Sequence, residues 1–409
     1  MDILFVIETI YTIMSTKTII EEPSKKRFKT NKSEIIFKEK YREETSIDDD
    51  DGGDHQPIQI TFNQKHQSIL LITHLKDPLK LQTRYPIPDL KPYEILVHNK
   101  AIGLNPIDWK GKKYGFGIYH FPWINGRESS GDIVKLGNKV NQTKYSIGDK
   151  VIISSTSYRD NRTSTFQQYT AIDSRLVWKL PNSFSYEDGA TIGVGLVTSG
   201  IIFYNSFNFE LSDKPETTKG TILIWGGATV VGLYLCQLAK IHGWKVIAIA
   251  STKHKDYLEK LGVDHLIDRH LSEDEIIQKI DKIEEIDHID YGVDCVSKDT
   301  SNVVLRILDH KLKKPLNGES STKPKFSGIV GVPKDHPKTV DVREVVIKRF
   351  HEDVSYGEKF IEITNKFLET RQIEPVRFKQ YKGGLHIIDD ALKDLEKIGA
   401  NGEKYVVSV

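Results

Sequence analysis

A glycine-bearing turn holds the residues best suited to binding a dinucleotide. An apolar run ending at Trp225 leads into Gly227, and Gly232 lies on the helical segment that follows. These glycines match the first and third of the G-x-G-x-x-G fingerprint, which provide a tight turn and close helix packing. Thr229 replaces the second glycine, and its hydroxyl could donate to a pyrophosphate attracted by the helix N-terminus. The predicted cofactor-binding turn comprises Gly227, Ala228, Thr229, Val230, Val231 and Gly232. The alternative is an ordinary βα turn.

The end of the next apolar run discriminates between the two nicotinamide cofactors. NAD-binding proteins usually place Asp or Glu there, to accept a hydrogen bond from the ribose 2′-hydroxyl. This run instead ends in Ser251, Thr252, Lys253, His254 and Lys255. Hydroxyl and cationic side chains suit a 2′-phosphate, so Ser251, Lys253 and His254 predict NADPH as the cofactor. The alternative is an exposed helix start with Ser251 or Thr252 as its N-cap.

Alternating strands and helices are needed to hold such a turn, and the sequence after Pro181 has that alternation. The runs TILIW, KVIAIA and YGVDCVS are separated by helical segments, which is typical of βαβ units in a parallel, helix-covered sheet. Between residues 67 and 181, short β-like runs separated by turn residues predict a barrel-like module. The chain then ends in helix, strand, helix and strand, which we expect to complete that module. Residues 316–325 predict a polar surface loop.

Composition limits the classes of protein and the partners. The chain has 409 residues, of which 38% are hydrophobic, enough for two domains with apolar cores. Its formal net charge of +1 gives no field that would attract nucleic acid or an anionic membrane, so neither is expected as a partner. Its two cysteines, Cys236 and Cys295, lie in apolar segments, which indicates core packing in a reducing compartment.

Residues 1–65 are predicted to be a disordered N-terminal extension. Their apolar opening is shorter than the roughly 20 residues of a bilayer span, and the charged stretches that follow lack apolar periodicity. We expect a cytoplasmic protein. The basic segment KKRF leaves nuclear import open as an alternative, and Met14 is an alternative start.

Six sequence blocks in order resemble the medium-chain dehydrogenase/reductase superfamily, in particular its zinc-free, quinone oxidoreductase-like and enoyl reductase-like branch. The resemblance covers residues 67–409. The blocks are AIGLNPIDWKG (101–111), INGRESSGDIVKLG (124–137), YSIGDKVI (145–152), EDGATIGVGLVTSG (187–200), WGGATVVGLYLCQLAK (225–240) and STKHKDYLEKLGVDHLIDR (251–269).

The resemblance implies an α/β protein in which a GroES-like β-barrel catalytic domain is interrupted by a Rossmann domain with a doubly wound parallel sheet. The active site would lie in the cleft between the two. We expect the first part of the catalytic domain at 66–188, the Rossmann NADP-binding domain at 189–344 and the return to the catalytic domain at 345–409.

The zinc ligands of the zinc-dependent relatives are missing from the matching blocks. Those relatives use a Cys in the first block, the His of a GHE motif and a third Cys or carboxylate. Here the corresponding positions are Asn105 or its neighbours, Arg127, and the cysteine-free residues 193–200. Because catalytic zinc needs three protein ligands and an open position, we expect no metal. Arg127 and Glu128 are expected to form a structural pair near the barrel.

A reductase without zinc must polarise its acceptor by hydrogen bonds alone, which suits conjugated acceptors. Hydride added to the β-carbon of an enone, enoyl thioester or quinone places the negative charge on an oxygen that one or two donors can hold. Relatives place polar substrate-binding groups in the first block, which implies Asn105, Asp108 and Lys110 as candidate catalytic residues. Tyr114 lies just beyond, and relatives use a nearby Tyr or Lys as proton donor. The alternatives are a loop anchor for Asp108 and an exposed charge for Lys110.

The resemblance also implies nicotinamide contacts at Thr198, Gly331 and Val332, with packing in the sheet as the alternative. The predicted activity is NADPH-dependent reduction of a conjugated carbonyl. An aldehyde reductase and a non-catalytic, cofactor-binding scaffold of the same fold are the alternatives. We expect a small-molecule substrate and a monomer or homodimer.

Overall fold

The structure is a computed structural model that describes residues 62–155, 159–215, 220–312 and 323–409. Residues 60–409 form one compact unit. The predicted extension at 1–65 lies almost wholly outside the described residues, as does most of the predicted loop at 316–325. No helix in the described ranges is both long enough and apolar enough to cross a membrane.

The described residues form sixteen strands. They are β1 (His66–Ile72), β2 (Lys80–Pro86), β3 (Glu94–Leu104), β4 (Trp123–Ile124), β5 (Glu128–Leu136), β6 (Lys150–Ser154), β7 (Tyr169–Asp173), β8 (Val177–Lys179), β9 (Thr221–Trp225), β10 (Lys245–Ala250), β11 (His265–Asp268), β12 (Tyr291–Asp294), β13 (Lys325–Gly328), β14 (Asp341–Val342), β15 (Phe378–Lys382) and β16 (Lys404–Ser408).

The α-helices of the described part lie between these strands. They are α1 (Pro106–Tyr114), α2 (Tyr186–Gly189), α3 (Gly193–Gly200), α4 (Val230–Ile241), α5 (Lys255–Lys260), α6 (Glu273–Asp281), α7 (Lys298–His310), α8 (Arg349–Glu352), α9 (Val354–Glu369) and α10 (Ile388–Ile398). A π-helix (Ile201–Ser206) continues α3.

The six-stranded sheet is parallel, with strand order β11-β10-β9-β12-β13-β14. Numbered from its first strand, this is the 3-2-1-4-5-6 order of a dinucleotide-binding Rossmann sheet. The central strands β9 and β10 are buried almost throughout, as expected for a sheet covered on both faces. The predicted Rossmann sheet is confirmed.

A seven-stranded sheet forms the barrel-like part. Its order is β15-β16-β3-β5-β6-β8, with β7 also paired to β3. β16 runs antiparallel to β3, so the end of the chain returns to the sheet built near its beginning. A separate three-stranded sheet, β2-β1-β4, is built from other strands of the same first part of the chain. The predicted fold class, a barrel with a doubly wound Rossmann sheet, is confirmed; the domain boundaries themselves remain predictions.

One apolar core joins the two sheets. It includes Trp178 of β8, Leu196 of α3, Tyr234 of α4 and Phe360 of α9, all nearly or fully buried. The Trp178 indole donates to Thr364 Oγ1 at 2.8 Å, which ties α9 to the barrel. Cys236 and Cys295 are both buried, free thiols in this core. The barrel and the Rossmann sheet are therefore packed as one body.

Buried histidines give the folded state a pH dependence. Burial lowers the pKa of His242, among Phe203 and Phe209, to about 4, against about 6.5 in an unfolded chain. The unfolded chain therefore binds more protons between these values, and stability falls as the pH drops from about 6.5 towards 4.

We expect the melting temperature to fall between about pH 7 and about pH 5, and to fall less in His242→Phe, because that variant lacks one such group. His386→Phe, at an exposed position, is the control and should follow the wild type. Thermal denaturation followed by circular dichroism at both pH values measures this. Equal losses in all three proteins would contradict it.

Candidate active site

The turn between β9 and α4 begins with a left-handed residue. Gly226 has φ +84°, where residues with a side chain are rarely found, and a Cβ there would lie 2.7 Å from Val296 Cγ2. The tight turn therefore depends on Gly226, whereas the fingerprint alignment assigned it to Gly227. A Cβ on Gly227 would lie 2.8 Å from Ala248 Cβ, so this glycine allows close contact with β10.

The start of α4 has the geometry of a phosphate-binding helix. A Cβ on Gly232 would lie 2.3 Å from the Gly226 carbonyl oxygen, so helix and turn approach closely, as the fingerprint requires. Thr229 is the N-cap, and its hydroxyl accepts from the Gly232 amide at 3.1 Å. The Thr229 side chain also interacts with Cys295, and its bond to a pyrophosphate remains a prediction.

The turn lies at the switch point of the sheet. Strands β10 and β11 lie on one side of β9, and strands β12 to β14 lie on its other side. Ligands of such sheets bind outside the carboxyl ends of the strands at this point. Val296 and Val330, which follow β12 and β13, are 42% and 37% exposed. Sequence reasoning missed both; an apolar residue two positions after the end of a parallel strand is the signal. They leave exposed apolar surface close to the ends of these strands.

Cationic side chains gather beyond β10. Burial lowers the pKa of His254, and the positive charges of Lys253, Arg377 and Arg269 lower it further. The Lys253 ammonium donates to the neutral side-chain amide of Asn401. Ser251 precedes the 3₁₀ helix Thr252–His254, and its hydroxyl makes no capping bond to it. The role of Ser251, Lys253 and His254 as contacts of a 2′-phosphate remains a prediction.

Asn105 and Asp108 face into the protein at the start of α1. The Asp108 carboxylate accepts from the Asn105 backbone amide at 2.8 Å. Burial raises the pKa of Asp108 to about 6, opposed by the charges of Arg127 and Lys404 and the Asn105 amide. Asp108 therefore has the hydrogen bond expected of a loop anchor, which was the alternative interpretation, and its catalytic role remains a prediction.

The Asn105 side chain belongs to a buried network, here called the Lys404 cluster, made of Asn105, Glu128 and Lys404. The Asn105 amide donates to Glu128 Oε1 at 2.7 Å and its oxygen accepts from Lys404 Nζ at 2.7 Å. Asn105 therefore holds the start of α1 in place, and its predicted contact with the acceptor remains a prediction. Glu128 has an ion pair with Lys404, which the sequence analysis did not single out. Arg127 is also buried.

Lys110 and Tyr114 remain the candidate proton donors on α1. Both are half-buried, and burial lowers the pKa of Lys110. The Lys110 ammonium lies 5.6 Å from the centre of the Trp109 ring, and the Tyr114 ring makes an edge contact with Trp109. A lysine with a lowered pKa gives up its proton more readily near neutral pH, as a general acid must.

The predicted nicotinamide contacts have hydrogen bonds within the protein. The Thr198 hydroxyl donates to the Val194 carbonyl at 2.7 Å, inside α3. The Gly331 carbonyl accepts from the Ser301 hydroxyl at 2.7 Å. The Val332 side chain packs against Gly328, the last residue of β13. These contacts do not test the predicted role, which remains a prediction.

The residues at the family's zinc positions are poor zinc ligands. Asn105 is held in the Lys404 cluster, and arginine, found at 127, does not coordinate zinc. Within the described ranges, no group of three or more His, Cys, Asp or Glu side chains is arranged to hold a metal ion. Zinc independence itself remains a prediction.

A Rossmann sheet with a cofactor-type turn, packed on a barrel, defines the dehydrogenase class of two-part enzymes. Two family models match the chain: the alcohol dehydrogenase GroES-like domain over residues 91–182 and the zinc-binding dehydrogenase over residues 230–349. The uncharacterised protein YLR460C of Saccharomyces cerevisiae is 32% identical over 365 residues, covering 78% of this chain and 92% of that protein. The chain belongs to the medium-chain dehydrogenase/reductase superfamily, as the sequence blocks predicted.

Other relatives and solved structures lie in the same superfamily. The trans-enoyl reductase tndF of Aspergillus flavipes is 28% identical, covering 85% of this chain and 99% of that protein. An alcohol dehydrogenase superfamily protein from Novosphingobium aromaticivorans has a TM-score of 0.71 at 17% identity, over 84% and 99% of the two chains. The mycobacterial protein Rv1454c, solved in complex with NADPH, has a TM-score of 0.66 at 20% identity, over 84% and 100%.

The Thr229 cap gives a stability prediction that is independent of activity. Thr229→Ala removes the acceptor for the Gly232 amide and should lower the free energy of unfolding by about 1 kcal/mol. Thr229→Ser keeps a capping hydroxyl and should stay close to the wild type. Urea denaturation of the three proteins measures this, and an alanine variant as stable as the serine variant would remove the hydroxyl from the capping role.

Proposed function

We propose that this chain is an NADPH-dependent reductase that delivers hydride to the β-carbon of a conjugated carbonyl acceptor without zinc. The observation that carries the proposal is the cofactor-type turn at the switch point of the Rossmann sheet, combined with non-ligating residues at the family's zinc positions. Relatives named trans-enoyl reductases and a structural neighbour named as a quinone oxidoreductase support the acceptor class.

The residues of the turn fit a dinucleotide. Gly226 allows the left-handed turn, Gly232 allows the helix to approach, and Thr229 presents a hydroxyl at the helix N-terminus. Ser251, Lys253 and His254 would hold the 2′-phosphate, and the positive charges of Arg269 and Arg377, which also lower the pKa of His254, would add to the attraction. When bound, NADPH supplies the hydride.

The chain's own groups would manage the charge and the proton on the acceptor. After hydride reaches the β-carbon, negative charge collects on the carbonyl oxygen and must be stabilised by a donor. Lys110 and Tyr114 are the half-buried donors on α1, and either would then supply the proton. Val296 and Val330 would exclude water from one side of the reacting atoms. The substrate is a small molecule, and the protein acts as a monomer or homodimer.

The function is tested with a panel of enones, quinones, enoyl thioesters and aldehydes, followed by loss of NADPH absorbance. We expect turnover with at least one conjugated acceptor, and unchanged turnover in a strong chelator. Reduction of aldehydes alone would favour the aldehyde reductase. No turnover with tight NADPH binding would favour the cofactor-binding scaffold. Elemental analysis that finds about one zinc per chain would overturn the metal-free mechanism.

The proton donor is tested on α1. Lys110→Met removes the ammonium while keeping an apolar chain, and should lower kcat roughly a hundredfold with NADPH affinity unchanged. Lys112→Met is the matched control, because Lys112 lies on the same helix and pairs with Asp389 of α10. Stopped-flow turnover and NADPH titration separate the two effects. If Lys110→Met kept its rate while Tyr114→Phe lost it, Tyr114 would be the donor.

The cofactor preference is tested at Lys253. Lys253→Glu removes a charge-assisted bond to the 2′-phosphate and adds repulsion, so NADPH affinity should fall at least tenfold, about 1.4 kcal/mol, with NADH binding nearly unchanged. Lys255→Glu makes the same charge change at an exposed neighbour that pairs with Glu259, and serves as the control. Titration of both cofactors by intrinsic fluorescence measures this. A wild type that prefers NADH would refute the assignment.

A further inference from the structure

The Lys404 cluster joins the last strand of the chain to the candidate catalytic loop. Lys404 on β16 and Glu128 on β5 are 1% and 0% exposed. The Lys404 ammonium donates to Glu128 Oε1 and, at 2.7 Å, to Asn105 Oδ1. Asn105 is the residue directly before α1, the helix that carries Lys110 and Tyr114. The charged side chain of Lys404 on β16 is therefore hydrogen-bonded to the residue that begins α1.

The second oxygen of Glu128 connects the cluster to α3. Glu128 Oε2 accepts from the Val194 backbone amide at 2.9 Å, in the first turn of α3. A carboxylate is favoured at this end of a helix because the free amides and the helix dipole are positive there. Thr198, the predicted nicotinamide contact, lies one turn further along α3 and donates to the Val194 carbonyl. The two oxygens of one carboxylate thus connect α1 and α3.

The surrounding backbone is fitted to the Glu128 side chain. A Cβ on Gly103 would lie 2.8 Å from Glu128 Cγ, and a Cβ on Gly193 would lie 3.0 Å from Glu128 Cβ. Glycines on β3 and at the start of α3 therefore leave the room that this side chain fills. With backbone so close on both sides, Glu128 has little freedom to move, and its three hydrogen-bond partners, Asn105, Lys404 and the Val194 amide, are held at fixed positions.

Stability alone does not account for a buried ion pair. Removing two charges from water is costly, and apolar replacements of buried pairs are often equally or more stable. What this pair supplies is a defined geometry, because its hydrogen bonds have fixed lengths and directions. Its partners are the helix of the candidate proton donors and the helix that holds the predicted nicotinamide contact.

We propose that Lys404 is a positioning residue for hydride transfer. Through Asn105 it sets the place of α1, and through Glu128 it sets the place of α3, so acceptor and nicotinamide are held at reacting distance. Lys404 touches neither of them. An error of about 1 Å in such an arrangement can cost roughly a hundredfold in rate. This inference rests on the proposed reductase function.

The test separates positioning from stability with three variants. Lys404→Met leaves Glu128 buried without its ion pair, so we expect a lower melting temperature and a kcat reduced at least tenfold. The double variant Lys404→Met/Glu128→Gln removes both charges, so its melting temperature should return towards the wild type while kcat stays reduced at least tenfold. Lys404→Arg keeps the charge and should recover part of kcat. In all three, NADPH affinity should stay within about twofold of the wild type.

Lys379→Met is the matched control, because Lys379 lies on the neighbouring strand β15 and pairs with Asp394 at 3.3 Å, with both side chains exposed. Its kcat should equal that of the wild type. A double variant with wild-type kcat would overturn the proposal and leave the cluster a purely structural role. An inactive wild type would instead overturn the reductase function on which the proposal rests. If Lys404→Met does not fold, the double variant and Lys404→Arg give the same comparison.

Discussion

A carboxylate and an ammonium that are both removed from solvent must stay together, and the active-site half of this protein depends on that constraint. Glu128 and Lys404 are almost fully buried, so separating them would leave two uncompensated charges in an apolar interior. Asn105 and the Val194 amide provide the remaining hydrogen bonds. The barrel, the final strand and α3, the last α-helix before the Rossmann sheet, are therefore joined at one point, next to the start of α1, the helix that carries Lys110.

The cofactor end follows from a second constraint, the close approach of backbone segments. The Gly226 carbonyl would collide with any side chain at Gly232, so turn and helix must pack backbone to backbone. That packing presents the helix N-terminus to the edge of the sheet, where Val296 and Val330 are exposed. The positive charges of Lys253, Arg269 and Arg377 all lower the pKa of His254, which lies just after β10. The proposed hydride transfer would take place between the helix α1, which carries Lys110, and the edge of the sheet at Val296 and Val330.

Local patterns were sufficient to predict the fold and the turn. The β9-turn-α4-β10 unit lies within about thirty residues of sequence, the usual length of a βαβ unit, so its glycines and strands can be recognised together. The Lys404 cluster could not be predicted, because Glu128 and Lys404 are 276 residues apart and no periodicity links them. For the same reason the hydrogen bond between Asn105 and Lys404 could not be predicted, because Asn105 lies in the first sequence block and its partner lies on the last strand. The effect of Arg377 on the pKa of His254 could not be predicted either, because the two residues lie far apart in the sequence.

The central claim is that hydride reaches the β-carbon of a conjugated carbonyl. It is tested most directly by single-turnover reduction of an enone or enoyl thioester with NADPH carrying deuterium at the transferring position, followed by mass spectrometry and NMR of the product. Deuterium on the β-carbon of a saturated carbonyl product is the result that the proposed mechanism predicts. Deuterium on the carbonyl carbon of an alcohol product would contradict it and identify a carbonyl reductase on the same fold.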